Sequence, residues 1–212
     1  MQFTNRQEAG QKLSQLLKKY KNSKDAIVLG IPRGGIEVAF EIAKELNLQL
    51  SVIVTKKIGF PSDPEFAIGA ASLDSYIVNQ DYKEQVGKQY IEKTITELKK
   101  AIKKRYKDYL NGKIPELKNK IVIIADDGLA TGYTMFAAIK YAKSKNPKRI
   151  IVAVPVAAQD SFEKAKKEAD EIYYIDIPIF FGSVGAFYQD FQQLEDKDVK
   201  YYLKEAKKNY EK

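Results

Sequence analysis

Histidine, cysteine and tryptophan are absent from this 212-residue sequence. Without thiols there are no disulfides and no thiolate nucleophile. Without imidazole there is no Ser-His-Asp triad, no histidine general base and no nitrogen or sulfur ligand for zinc. Any metal is expected to be a hard ion held by oxygen, such as Mg2+. Arginine is scarce as well: of 36 basic residues only Arg6, Arg33, Arg105 and Arg149 are arginines. No apolar run approaches the roughly 18 to 20 residues of a membrane-spanning helix, and the opening MQFTNRQEAGQKL lacks the apolar stretch of a signal peptide. A cytoplasmic chain with no membrane partner is expected.

What is present suffices for one well-buried core: 44% of residues are hydrophobic and 30% charged, which at this length predicts a single α/β unit over 1–212. The formal charge of +8 is unevenly placed, with 12 Lys/Arg against 6 Asp/Glu between residues 81 and 120. A solvated helix face accounts for this stretch, and no aromatic-basic RNA motif accompanies it, so nucleic acid is not the expected partner.

Along the chain, apolar spacing in NRQEAGQKLSQLLKKY predicts an N-terminal helix, with Asn5 and Glu8 placed for a capping-box-like start. AIVLG (26–30), GIEVAFEIAKEL and LSVIV (50–54) read as a β-α-β unit. IGFPSDPEFAIGAASLD, with two prolines between glycines, predicts an extended, movable loop. SYIVN then reads as a strand and 81–109 as one long Lys-rich helix, together a helical excursion over 73–120. IVIIA (121–125), the loop DDGLATGYT, a helix through MFAAIKYAKS, RIIVAVPV, SFEKAKKEA and EIYYIDIP complete the pattern. Apolar strands without polar alternation imply an α/β fold with a central, mostly parallel sheet covered by helices on both faces. Ligands of such sheets sit beyond the carboxyl ends of the strands, which singles out the loops at Gly30, Lys56, Asp126, Pro155 and Pro178.

The segment richest in chemistry is VIIADDGLATGYT, Val122 to Thr134. A strand delivers Asp126 and Asp127, then a turn containing Gly128, Ala130, Thr131 and Gly132 runs into a helix at Tyr133 and Thr134. Glycines let the backbone turn tightly, and threonine hydroxyls beside unpaired helix N–H groups make a nest for a phosphate dianion. Carboxylates beside such a nest require donors between them, and ribose hydroxyls fit. A capping role accounts for one Asp but for neither the second nor both threonines. No dinucleotide or P-loop glycine string occurs.

This segment resembles the phosphoribosyl-pyrophosphate signature of the type I phosphoribosyltransferases. The resemblance implies that Asp126 and Asp127 hold the ribose 2- and 3-hydroxyls and that Ala130 through Thr134 cradle the 5-phosphate. The turn Gly30-Ile31-Pro32-Arg33-Gly34-Gly35 resembles the family's pyrophosphate loop, where a cis peptide is common, and the Arg33 fork suits phosphate oxygens. A surface turn with a solvated arginine is the alternative. One departure stands out: type I enzymes commonly carry a cation in the mobile loop, but Ile58 to Asp74 contains none, leaving Lys56, Lys57, Arg33, a substrate-borne Mg2+ or a neighbouring subunit. Near the C-terminus, 178–195 is a candidate hood over the acceptor, with Phe180, Phe181, Phe187, Tyr188 and Phe191 either stacking on a flat heterocycle or forming the core of a small cap.

The resemblance implies transfer of the phosphoribosyl group, with catalysis by Asp126, Asp127 and Arg33, from phosphoribosyl pyrophosphate to a small nitrogen acceptor, Mg2+ being bound through the substrate and the protein a homodimer. The alternative from another class is a non-catalytic phosphoribosyl-pyrophosphate sensor that binds nucleic acid through the basic helix. A third reading, with Asp126 as nucleophile, requires a phospho-enzyme.

Overall fold

The computed structural model describes residues 2–210. Five strands, β1 (Ala26–Gly30), β2 (Gln49–Val52), β6 (Ile121–Ala125), β7 (Arg149–Val156) and β8 (Glu171–Asp176), form one sheet in the order β2-β1-β6-β7-β8. Every pair in it is parallel. Successive side chains alternate between two apolar layers, as a sheet covered on both faces requires. Ile27, Leu29, Val122, Ile124, Val152 and Val154 face the helices α5 (Tyr133–Lys143) and α6 (Gln159–Glu168). Val28, Ile123, Ala125, Ile151 and Ala153 face α1 (Arg6–Leu16) and α2 (Gly35–Leu46). The α/β architecture expected from the sequence is therefore present, with the central sheet wholly parallel.

The start of α1 follows its sequence signature. Asn5 Oδ1 accepts from the Glu8 amide at 2.9 Å, and the Glu8 carboxylate reaches back to the Thr4 amide at 2.6 Å. Burial against α2 then fixes Gly10 and Leu13, while Ala9 packs with Phe3 and Tyr188.

The stretch between β2 and β6 differs from its expectation in two places. The expected movable loop is instead a hairpin of β3 (Lys56–Phe60) and β4 (Asp63–Ala71), extended by β5 (Tyr76–Val78) into a three-stranded antiparallel sheet. Ile58 and Ile68 point inward from it and are buried against Ile91 and Ile95, which explains why this proline-containing stretch is ordered as strand. The single long helix is two, α3 (Gln80–Val86) and α4 (Lys88–Leu110), separated at Gly87, whose φ of +77° cannot continue an α-helix. Further along α4, Ile102, Tyr106 and Tyr109 are buried with Val52, Val54 and Val199, so its lysines lie on the outer face.

A last helix, α7 (Asp196–Tyr210), has no counterpart among the elements read from the sequence, although Val199, Leu203 and Ala206 carry a helical period. It covers β2 and packs on α2, with the Phe40 and Tyr202 rings 5.1 Å apart. No helix among the described residues is long and apolar enough to cross a membrane.

Candidate functional site

Because the strands are parallel, the loops that follow β1, β2, β6, β7 and β8 all emerge at one edge of the sheet. The loop after β6 is anchored to the next loop along. The Leu129 amide donates to Val156 O and the Ala158 amide to Leu129 O, both at 2.8 Å. The Ser161 hydroxyl donates to Ala130 O at 2.5 Å. Gly132, at φ +77°, then opens α5, and the first intrahelical bond runs from the Phe136 amide to Gly132 O at 2.8 Å. The amides of Tyr133, Thr134 and Met135 precede that bond, as at any helix start. Thr131 is exposed, Tyr133 and Thr134 are half-buried, and Gly128 abuts Val184, where an added Cβ would sit 2.6 Å from a Val184 methyl.

Asp126 and Asp127 lie against the turn after β1. A Cβ on Gly35 would come 2.7 Å from Asp126 Oδ1 and 2.8 Å from Ala125 O, and one on Gly34 would overlap Asp127 Oδ2. Only glycine lets this turn and the acidic loop approach so closely, so the two motifs read separately from the sequence lie against each other. The Ile31 amide donates to Ala125 O at 3.0 Å, and the Pro32–Arg33 peptide bond is cis. Pro32 and Arg33 are half-buried, as is Lys56 at the start of β3, whereas Lys57 is exposed.

The pair is electrically asymmetric. Burial, and next to it the Asp127 carboxylate, push the Asp126 pKa well above the usual aspartate range; the Asp127 amide, donating at 2.9 Å to Asp126 Oδ1, works against this. Asp127 has a cation of its own: Arg6 Nε donates to Asp127 Oδ2 at 2.8 Å, with the arginine 5% exposed. The same guanidinium donates through Nη1 to Gln192 O at 2.8 Å and lies 3.8 Å over the Phe191 ring. Arg6 was not among the candidates read from the sequence. The signal available was its placement in the helix start NRQEAG as one of only four arginines.

The five hood aromatics do not form one platform. Tyr188 is buried, packs at 5.4 Å on Phe3, stacks at 5.0 Å on Phe191, and donates its hydroxyl to Asp127 O at 2.6 Å. Phe181 and Phe187 pair at 5.2 Å, while Phe180 is 90% exposed beside Ile179 at 94%. The segment is held by the N-terminus: Phe3 N–H donates to Phe187 O at 2.7 Å and Gln189 N–H to Phe3 O at 2.8 Å.

A cavity of about 540 Å3 lies elsewhere, between α5 and α6, lined by Ile77, Phe136, Lys140, Lys143, Lys164 and Lys167. It does not include the acidic pair. Among the described residues no group of three or more acidic side chains is placed to hold a metal ion.

Residues 2–191 match the family model described as Phosphoribosyl transferase domain. The crystal structure of TT1426 from Thermus thermophilus has a TM-score of 0.81 and 35% identity, covering 97% of this chain and 99% of that one. The Mycobacterium tuberculosis protein named "Putative phosphoribosyl transferase Rv0571c" is 35% identical over 213 residues, covering 98% of this chain and 48% of the relative. The chain thus spans about half the length of the curated relatives it matches. The AQ2163 protein from Aquifex aeolicus, 18% identical with a TM-score of 0.50 over 81% of this chain and 74% of that one, shares the fold. With its acidic pair set against a glycine turn and its match running through both motifs, the chain belongs to the phosphoribosyl transferase family.

Proposed function

We propose that the chain transfers a 5-phosphoribosyl group from phosphoribosyl pyrophosphate to a nitrogen acceptor. The observation that carries this reading is the contact of Asp126 and Asp127 with Gly34 and Gly35, beside a helix that opens at a positive-φ glycine. The amides of Tyr133 to Met135 and the hydroxyls of Thr131 and Thr134 hold the 5-phosphate. Asp126 engages the ribose hydroxyls first, since Asp127 is already tied to Arg6. Arg33 and the Gly34 amide take the pyrophosphate, the Gly35 amide being already donated to Ile31 O at 3.0 Å.

In the reaction the acceptor nitrogen's lone pair forms the bond to C1. The C1–O bond breaks with its electron pair leaving on pyrophosphate, and the acceptor's proton goes to water. Positive charge builds on the sugar beside two carboxylates while negative charge builds beside Arg33, so the rate comes from positioning and electrostatics. Oxygen donors suit a hard cation, but two carboxylates, one already paired, do not complete its shell. Mg2+ fits this site as an ion carried by the substrate, where it would neutralise charge on the leaving group.

Within the 178–195 segment, Phe180, Phe181 and Phe187 are assigned to the acceptor side, with Tyr188 behind them as support for Asp127. A cytoplasmic homodimer belongs to the same reading. Pyrophosphate release is measured with Mg2+, phosphoribosyl pyrophosphate and a panel of nucleobases and amines. Release with at least one acceptor, slowed about a hundredfold in Asp126→Asn, is expected. Calorimetry that detects no uptake of the donor ends the proposal.

A further inference from the structure

The hairpin of β3 and β4 has no cation between Ile58 and Asp74, yet the edge from which it springs is rich in them. α4 is docked on the end of β2 by the Val54 amide, which donates to the buried Tyr106 hydroxyl at 3.1 Å. Arg105, one residue earlier on the same helix, lies close enough for its charge to act on Lys56. Tyr109, a turn later, donates its hydroxyl to Asp196 Oδ1 at 2.6 Å. Arg105 Nη2 lies 4.0 Å from that same oxygen, the outer limit of an ion pair, and the guanidinium makes no hydrogen bond among the described residues.

Lys56 has no carboxylate partner at ion-pair distance among the described residues. Burial first, and then the Arg105 charge, lower its pKa; Asp196 opposes this and Arg33 adds to it. Asp196 in turn is acted on by both Arg105 and Arg33. Arg105 therefore reaches Asp196 at 4.0 Å, and the charges of Lys56 and Arg33 act in the same neighbourhood. Between Val54 and Lys56, Thr55 Oγ1 is buried and has no hydrogen-bond partner, a donor left without an acceptor at the same place. Three of the chain's four arginines, Arg6, Arg33 and Arg105, converge on this edge of the sheet, whereas Arg149 sits on the surface paired with Glu171 at 2.7 Å.

We propose that Arg105 is a binding residue of this site: with Lys56 and Arg33 it takes the diphosphate of the donor, so that a helix outside the sheet supplies the cation that the stretch from Ile58 to Asp74 lacks. This rests on the proposed function. A planar fork with most of its donors unused suits diphosphate oxygens, and an anion of high charge relieves the repulsion among the three cations.

The test is calorimetric titration of phosphoribosyl pyrophosphate, pyrophosphate and ribose 5-phosphate, with Mg2+, into the full chain and its Arg105→Gln, Arg105→Lys and Lys104→Gln variants. Arg105→Gln is expected to weaken the first two ligands about tenfold or more, equivalent to about 1.4 kcal/mol, and to leave ribose 5-phosphate unchanged. Arg105→Lys recovers part of the loss. Lys104→Gln, on the exposed side of α4 and paired with Asp108 at 3.0 Å, changes nothing. Equal weakening of all three ligands makes Arg105 a structural residue and overturns the inference, as does tight donor binding by Arg105→Gln. If that variant melts early, Arg105→Lys is read instead, and ligand-independent behaviour there is equally fatal. A wild-type chain that binds no donor removes the proposed function itself.

Discussion

Replacing Arg6 by methionine, which keeps the length and apolar stem of the side chain, removes the only cation bonded to Asp127 among the described residues. Arg6 is 5% exposed, and the side chains of the pair are 6% and 14% exposed. Breaking a buried pair from one side costs about 3 to 5 kcal/mol because the remaining charge is left uncompensated, against about 0 to 1 kcal/mol for a surface pair. Water can reach part of the Asp127 carboxylate, which places the loss near the lower end, at about 3 kcal/mol. The Gln192 carbonyl also loses its donor, while methionine retains some contact with the Phe191 ring. For a domain of this size about 3 kcal/mol lowers Tm by roughly 6 to 12 °C. The assay is urea unfolding of wild type, Arg6→Met, Asp127→Asn and the double variant. In the double variant no charge is stranded, so much of the loss returns and the coupling energy is about 2 kcal/mol or more. Arg6 also lowers the Asp126 pKa, so its removal raises that pKa further and lets the stability of Arg6→Met go on falling with rising pH to a higher pH than in wild type. An Arg6→Met loss below about 1 kcal/mol, or additive single and double variants, refutes the reasoning.

Asp126→Asn should separate stability from function. A carboxyl whose folded pKa is raised above its unfolded value contributes stability that is present below the unfolded pKa of about 3.8 and lost as pH rises through the folded one. The asparagine variant should therefore melt higher than wild type at about pH 7 and nearly alongside it at about pH 3, while donor turnover falls; a lower melting point at neutral pH contradicts the burial argument. Gly34→Ala sets a methyl onto Asp127 Oδ2 and is expected to cost roughly 1 to 3 kcal/mol and to weaken donor binding, measured by denaturation and calorimetry. Neutralising Lys99, Lys103 and Lys104 should leave donor binding unaltered, and salt-dependent nucleic-acid binding that this triple variant abolishes would instead favour the sensor reading.

Most of the fold was legible one element at a time. All five strands of the parallel sheet, and the helices after β1, β6 and β7, are apolar runs or periods complete within about a dozen residues. The acidic loop and the glycine turn were legible for the same reason, since each motif is contiguous. Two misreadings came from weighing residues by type. Pro61 and Pro64 suggested a loose loop, but buried Ile58 and Ile68 decided for strand. A lysine-rich stretch suggested one helix, although Gly87 already marked its break.

Local sequence determined where the backbone turns tightly and a helix opens beside hydroxyls, because φ, side-chain type and helix starts are properties of neighbouring residues. The partners of the charges were decided by packing alone. Arg6 and Asp127 are separated by 121 positions, Tyr109 and Asp196 by 87, and nothing local to either member specifies the other. Which carboxylate of the pair receives a cation, which aromatic ring supports it and which helix brings arginine to the edge of the sheet follow from how layers stack, and only the folded chain brings them together.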